Sequence, residues 1–130
     1  MPGSPHKALL AATLLCSIAG AQADNPAYPH LPFDADSKAR TLWLDSCEGC
    51  HGYGIAGAPI PMQPDDWRER LEKPRSVLYS HAIEGFFGPD DTMMPARGGN
   101  PDLTDEEVKL AVDYMLALAS YYLEQTGDSK

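Results

Sequence analysis

An all-α domain of about four helices joined by Pro- and Gly-rich loops is the fold the sequence predicts, on three observations. The first is a capping box, Thr104-x-x-Glu107, followed by Val108, Ala111, Met115, Leu118 and Tyr122 at spacings of three and four, which is one apolar face of a long helix. The second is a series of shorter helix signals with clear stops, each separated from the next by clusters of Gly and Pro. The third is negative: no stretch alternates between apolar and polar residues at the strand period.

The elements follow in order. His6 and Lys7 lead into an apolar run from Ala8 to about Ala19, and small residues end at Ala21-Gln22-Ala23. That three-part layout predicts a secretory signal peptide over residues 1–23, cleaved after Ala23. The run is too short for a membrane anchor, which needs about 20 apolar residues. Cys16 follows Leu15 rather than a small residue, so it reads as an apolar residue of the signal and not as a lipidation site.

Residues 24–35 form a Pro-rich leader containing Pro26, Pro29 and Pro32, and the expected domain covers 36–123. Asp34 or Asp36 can cap a helix through Ala39, Leu42 and Trp43 to about Cys47. Gly49, Gly52, Gly54 and Gly57 are expected to break regular structure, and Pro59, Pro61 and Pro64 to prolong the loop to Asp65. Asp65 and Asp66 place acid at the start of a short helix carrying Trp67. Pro74 suits the first position of the next helix, which Gly85 ends. The loop around Pro89, Pro95 and Gly98-Gly99 leads to the last helix, and 124–130 read as a frayed tail.

The formal net charge is −9. Lys7 is the only charged side chain among residues 1–23, so removal of the signal makes the balance one unit more negative. Such a chain will not bind nucleic acid through its phosphates. The balance favours partners with a basic docking face, because complementary charge speeds encounter.

Cys47-Glu48-Gly49-Cys50-His51 carries the chemistry. It fits C-x-x-C-H, the pattern of c-type haem attachment. Two thiols at this spacing can each add to one haem vinyl group, and the adjacent histidine then lies under the iron as its proximal ligand. A thioredoxin-like redox motif would follow a strand in a βαβ pattern, and none is visible. A zinc site would need a second ligand pair, and no other cysteine survives signal removal. One covalent haem c with its iron is therefore the expected cofactor.

A sixth iron ligand can come from Met62, Met93, Met94 or Met115, or from His30 or His81. Met115 lies on the apolar face of the last helix, and Met62 sits close after the motif, so both read as packing residues. Met93-Met94-Pro95 lies in a Gly/Pro-rich loop far enough from His51 to return over the opposite haem face, and Pro95 keeps Met94 extended. His81 reads as a surface residue of its helix.

The run from Cys50 to Pro59 resembles the cytochrome c₅ family of class I c-type cytochromes. So do Trp67, the run from His81 to Phe86, the run from Met93 to Gly99 and the segment from Thr104 to Met115. The resemblance implies a small class I cytochrome c fold and places the axial methionine directly before the proline, at Met94 with Met93 as its neighbour. It further implies that the Pro59 carbonyl accepts a hydrogen bond from the proximal histidine, and that the Trp67 indole N–H donates to a haem propionate. The family often carries a second cysteine pair after the Gly-Gly, where this chain has Asn100 and Leu103. That loop is expected to be held by Pro101 and the Thr104 cap instead.

The reading that follows is a soluble periplasmic carrier of single electrons between redox partners, not an enzyme. With both axial positions filled, substrate has no route to the iron, and thioether ligation favours the ferrous state. One alternative is a haem subunit of a periplasmic dehydrogenase complex, with the leader and residues 120–130 as docking elements. Another is a haem enzyme or sensor with an open distal site.

Overall fold

A computed structural model describes residues 27–31 and 38–127. The signal peptide, Cys16, the proposed caps Asp34 and Asp36, and the last residues of the tail lie outside the described residues. Five α-helices and one two-stranded antiparallel pair occur among those described: α1 (Lys38–Ser46), α2 (Glu48–His51), α3 (Pro64–Leu71), α4 (Arg75–Glu84), β1 (Phe86–Phe87), β2 (Met93–Met94) and α5 (Asp105–Gln125). Two 3₁₀ turns, Ile55–Gly57 and Ala96–Gly99, flank the loops that carry the motifs.

α5 is the axis against which α1, α3 and α4 all pack. Thr104 caps it as the sequence predicts: its hydroxyl accepts from the Glu107 N–H, and the Glu107 carboxylate accepts from the Thr104 N–H at 3.0 Å. Val108, Ala111, Met115 and Leu118 are buried at their helical spacing, joined by Val112, Tyr114, Leu116 and Ala119. The buried face is thus wider than the sequence stripe, because three helices cover it rather than one. Trp43 of α1 and Tyr114 of α5 are fully enclosed, with ring centroids 5.6 Å apart.

Three expectations are corrected. Gly49 does not break the chain, since Glu48–His51 closes a helical turn in which the His51 N–H donates to the Cys47 carbonyl at 3.0 Å. A pair of two-residue strands, Phe86 opposite Met94 and Phe87 opposite Met93, stands where only loop was expected. Two residues are too few for an alternation to register in the sequence. The described part of the leader, read from sequence only as Pro-rich, corrects its placement outside the domain: Tyr28 and Leu31 are buried, and Tyr28 meets Trp43 edge-on at 4.9 Å. Tyr122, on the C-terminal extension of α5, donates to the Ala27 carbonyl at 2.8 Å, and Arg40 Nη2 reaches the Tyr28 carbonyl at 3.3 Å. The two segments considered as docking elements therefore hold each other.

Candidate functional site

α2, the loop to Pro59, α3, α4 and the strand pair enclose a cleft of about 430 Å³, within the range of small-molecule and cofactor sites. Cys47, Cys50, His51, Pro59, Trp67, Met93 and Met94 all line it. The sequence-predicted residues thus converge on one cleft.

The proximal side is built within one helical turn. Cys47 precedes α2, and Cys50 and His51 complete it, so the two thiols and the imidazole share one short stretch of backbone. Cys50 is exposed and Cys47 half-buried, and the two are not joined to each other. Before any attachment, burial, with a smaller contribution from Cys50, pushes the Cys47 thiol up to about 11. His51 is buried, and its Nδ1 lies 2.9 Å from the Pro59 carbonyl. A carbonyl only accepts, so Nδ1 carries the proton and Nε2 keeps its lone pair. Burial holds the His51 ring below its usual range, and the hydrogen bond to Pro59 partly opposes that shift. The ring is therefore a neutral imidazole with one nitrogen fixed and the other available, the form that ligates metals.

Pro59 is itself held. Asp66, in the first turn of α3, accepts from the Ile60 N–H at 2.9 Å. The next residue, Trp67, is 2 % exposed and its Nε1 has no hydrogen-bond partner among the described residues. A buried indole N–H left unmatched is uncommon and costly. On the wall of this cleft it suits an acceptor such as a carboxylate of a bound group.

The distal side arrives from far along the chain. β2 places Met94 half-buried against the core and leaves Met93 44 % exposed. Pro95 follows in extended backbone (φ −68°, ψ 149°). The two sides meet at the cleft mouth, where Gly57 (φ 76°) approaches Thr92 so closely that a Cβ would overlap its methyl group. The other ligand candidates lie elsewhere or are already engaged. His30 is exposed, Met62 packs against the core from a half-buried position, and Met115 lines the cleft from α5 but is buried in the helix's core face.

His81 departs from the surface position expected of it. It lines the cleft half-buried, with its ring stacked on Phe86 at 4.1 Å and 21°. No sequence signal announced this, because Phe86 reaches the α4 face only through the strand pair. Arg97 was also missed. It donates to the Leu103 carbonyl at 2.8 Å and to Asp105 Oδ1 at 2.6 Å. Pro101 and the Thr104 cap were expected to hold this loop; the Thr104 cap is present, and further hydrogen bonds come from Arg97 and Asn100.

Residues 34–115 match the family model described as cytochrome C oxidase, cbb3-type, subunit III. Cytochrome c-555 of Prosthecochloris aestuarii is 37 % identical over 83 residues, 62 % of this chain and 84 % of that protein. Cytochrome c-555 of Chlorobaculum thiosulfatiphilum is 42 % identical over 71 residues, 55 % of this chain and 81 % of that protein. Cytochrome c5 of Ectopseudomonas mendocina is 31 % identical over 74 residues, 55 % of this chain and 79 % of that protein.

Proposed function

The chain belongs to the class I c-type cytochromes, and on that premise we propose that it is an exported carrier of single electrons whose haem is held by Cys47 and Cys50 as thioethers, with His51 and Met94 on the iron. Members of the family are electron-transfer proteins rather than enzymes, with covalent haem c. Bound haem supplies a one-electron ferric/ferrous couple.

The observation that carries the site reading is the convergence of α2 and β2 on one cleft, with His51 already fixed by the Pro59 carbonyl at 2.9 Å. Cys47 and Cys50 anchor the group to backbone that is helical and hydrogen-bonded. His51 presents Nε2, and the Pro59 contact raises its basicity and fixes its orientation. Met94 offers a thioether from β2, and Trp67 offers its unmatched N–H to a propionate. Reversible reduction with a low-spin spectrum, a sulfur-to-iron charge-transfer band and little affinity for added imidazole is the expected behaviour. A high-spin ferric spectrum at neutral pH would instead favour an open distal site.

Export rests on residues 1–23, and the purified protein from cells should begin at Asp24 by mass spectrometry. An intact Met1 would overturn that. No helix among the described residues is long and apolar enough to cross a membrane. A second reading, a haem subunit of a larger redox complex, is favoured by the family model's description as an oxidase subunit. Gel filtration of native material separates the two: a monomer supports the free carrier, and co-elution with larger subunits supports the assembly.

A further inference from the structure

We propose that Arg97 is the positioning residue that keeps Met94 on the distal face of the cleft, acting through a clamp between the ligand loop and the start of α5. The inference rests on the reading of Met94 as the distal ligand. Its own content is which side chain holds that ligand in place.

The loop that follows Met94 has an unusual backbone. Arg97 (φ 55°) and Gly98 (φ 64°) both adopt the left-handed conformation. For arginine that region is disfavoured and persists only where surrounding contacts over-determine it. Those contacts are present. The guanidinium forks between the Leu103 carbonyl at 2.8 Å and Asp105 Oδ1 at 2.6 Å, spanning the segment between the ligand loop and the α5 cap. Charge-assisted, two-pronged contacts of this kind are the stronger class of hydrogen bond. The guanidinium side chain is 27 % exposed, so water competes only in part.

The turn is also fixed from the other side. A Cβ on Gly98 would lie 2.7 Å from the Ser46 carbonyl, and Asn100 Nδ2 donates to Ser46 Oγ at 3.3 Å. Ser46 ends α1, immediately before Cys47. The distal loop is therefore pinned between the residue before the proximal motif and the first residue of α5. Without the Arg97 fork, the loop beyond Pro95 would keep the Asn100 contact and the close approach at Gly98, while Met94 itself would keep its pairing with Phe86 and its approach to Gly85. Movement of the loop is passed to Met94, because only Pro95 and Ala96 separate the two residues, and it works against the short strand pair that holds Met94 from the other side.

The test uses the haem-loaded full chain and reads the iron's sixth position, not stability alone. Arg97→Gln removes the charge and one prong. It should weaken the charge-transfer band and raise the apparent affinity for added imidazole by about tenfold, the scale of losing a charged hydrogen bond. Arg97→Lys keeps the charge but not the fork, and should fall between. Asp105→Asn, at an exposed site, should move both readouts in the same direction by less, and it decides the matter should the arginine variants fail to accumulate. A melting temperature that falls while band and imidazole affinity stay at wild-type values in Arg97→Gln or Asp105→Asn would overturn the positioning role. Met94→Ala is the control for the underlying reading. A band that survives Met94→Ala sinks the ligand assignment, whereas a band lost there but untouched by the clamp variants sinks only the role of Arg97.

Discussion

The two walls of the cleft are made in different ways. On the proximal wall, both thiols and the imidazole come from one stretch of Cys47 to His51, and their partner Pro59 follows eight residues after the histidine. On the distal wall, Met94 sits on a two-residue strand whose position depends on β1, on the close contact of Thr92 with Gly57, and on hydrogen bonds from the following loop to α1 and α5. Local backbone geometry fixes the first wall, and tertiary contacts fix the second. A wall assembled from separate segments depends on each of those contacts, whereas one built within a single turn does not. The distal wall should therefore yield under perturbations that the proximal wall survives.

The largest effect should come from the proximal wall itself. Cys47→Ala with Cys50→Ala should abolish covalent haem, and each single change should cut the yield of loaded protein sharply. Extraction with acid acetone checks this, and haem that stays with the doubly substituted chain would break the assignment. Next in size is Met94→Ala, which should abolish the charge-transfer band, lower the reduction potential and admit cyanide or imidazole, because thioether ligation favours ferrous haem. Met93→Ala should leave the band in place. Met93 is 44 % exposed, so its loss should change stability by no more than about 0.5 kcal/mol. If Met93→Ala loses the band and Met94→Ala keeps it, the ligand is displaced by one residue.

The same contrast explains what the sequence made legible. The C-x-x-C-H spacing is local and needs no knowledge of the fold, and so is the Thr104–Glu107 capping box. α5 was legible because its stripe repeats over several turns. His81 was not, since its neighbour in space is Phe86, brought there by a strand pair too short to leave a pattern. Arg97 was not legible either: nothing in Pro95-Ala96-Arg97-Gly98-Gly99 signals that a non-glycine residue adopts positive φ or that its side chain reaches Asp105. Tyr28 was hidden for the opposite reason. A Pro-rich segment reads as a loose end, whereas here its aromatic residue completes the core against Trp43.

A smaller effect concerns the rim of the distal wall. Ile55, Phe87 and Met93 are exposed there, and Asp90 and Asp91 lie between the strands. With a formal net charge of −9, electron transfer to a basic redox partner should slow as salt rises, since exposed charges are screened over about 8 Å at physiological ionic strength. Stopped-flow rates across an ionic-strength series read this directly. A flat profile would place recognition on the apolar side chains and remove charge from the comparison.

The last effect, confined to stability, sharpens the comparison most. Tyr28 donates its hydroxyl to Glu48 Oε1 at 2.9 Å, and Glu48 lies between the two cysteines of the motif. Burial, and then the bond to Glu48, push the Tyr28 phenol well above its usual range, so it remains a donor at any physiological pH. Tyr28→Phe keeps the ring against Trp43 and removes only that hydrogen bond, which should cost about 1 kcal/mol of stability. If the proximal wall is fixed by its own backbone, the charge-transfer band and the imidazole affinity will not change. Arg97→Gln should do the reverse, altering the sixth position more than the melting temperature. The pair of variants thus separates support of the fold from control of the ligand. A Tyr28→Phe protein with a weakened band would mean that the proximal motif also relies on distant support, through Glu48, and the distinction between the two walls would fail.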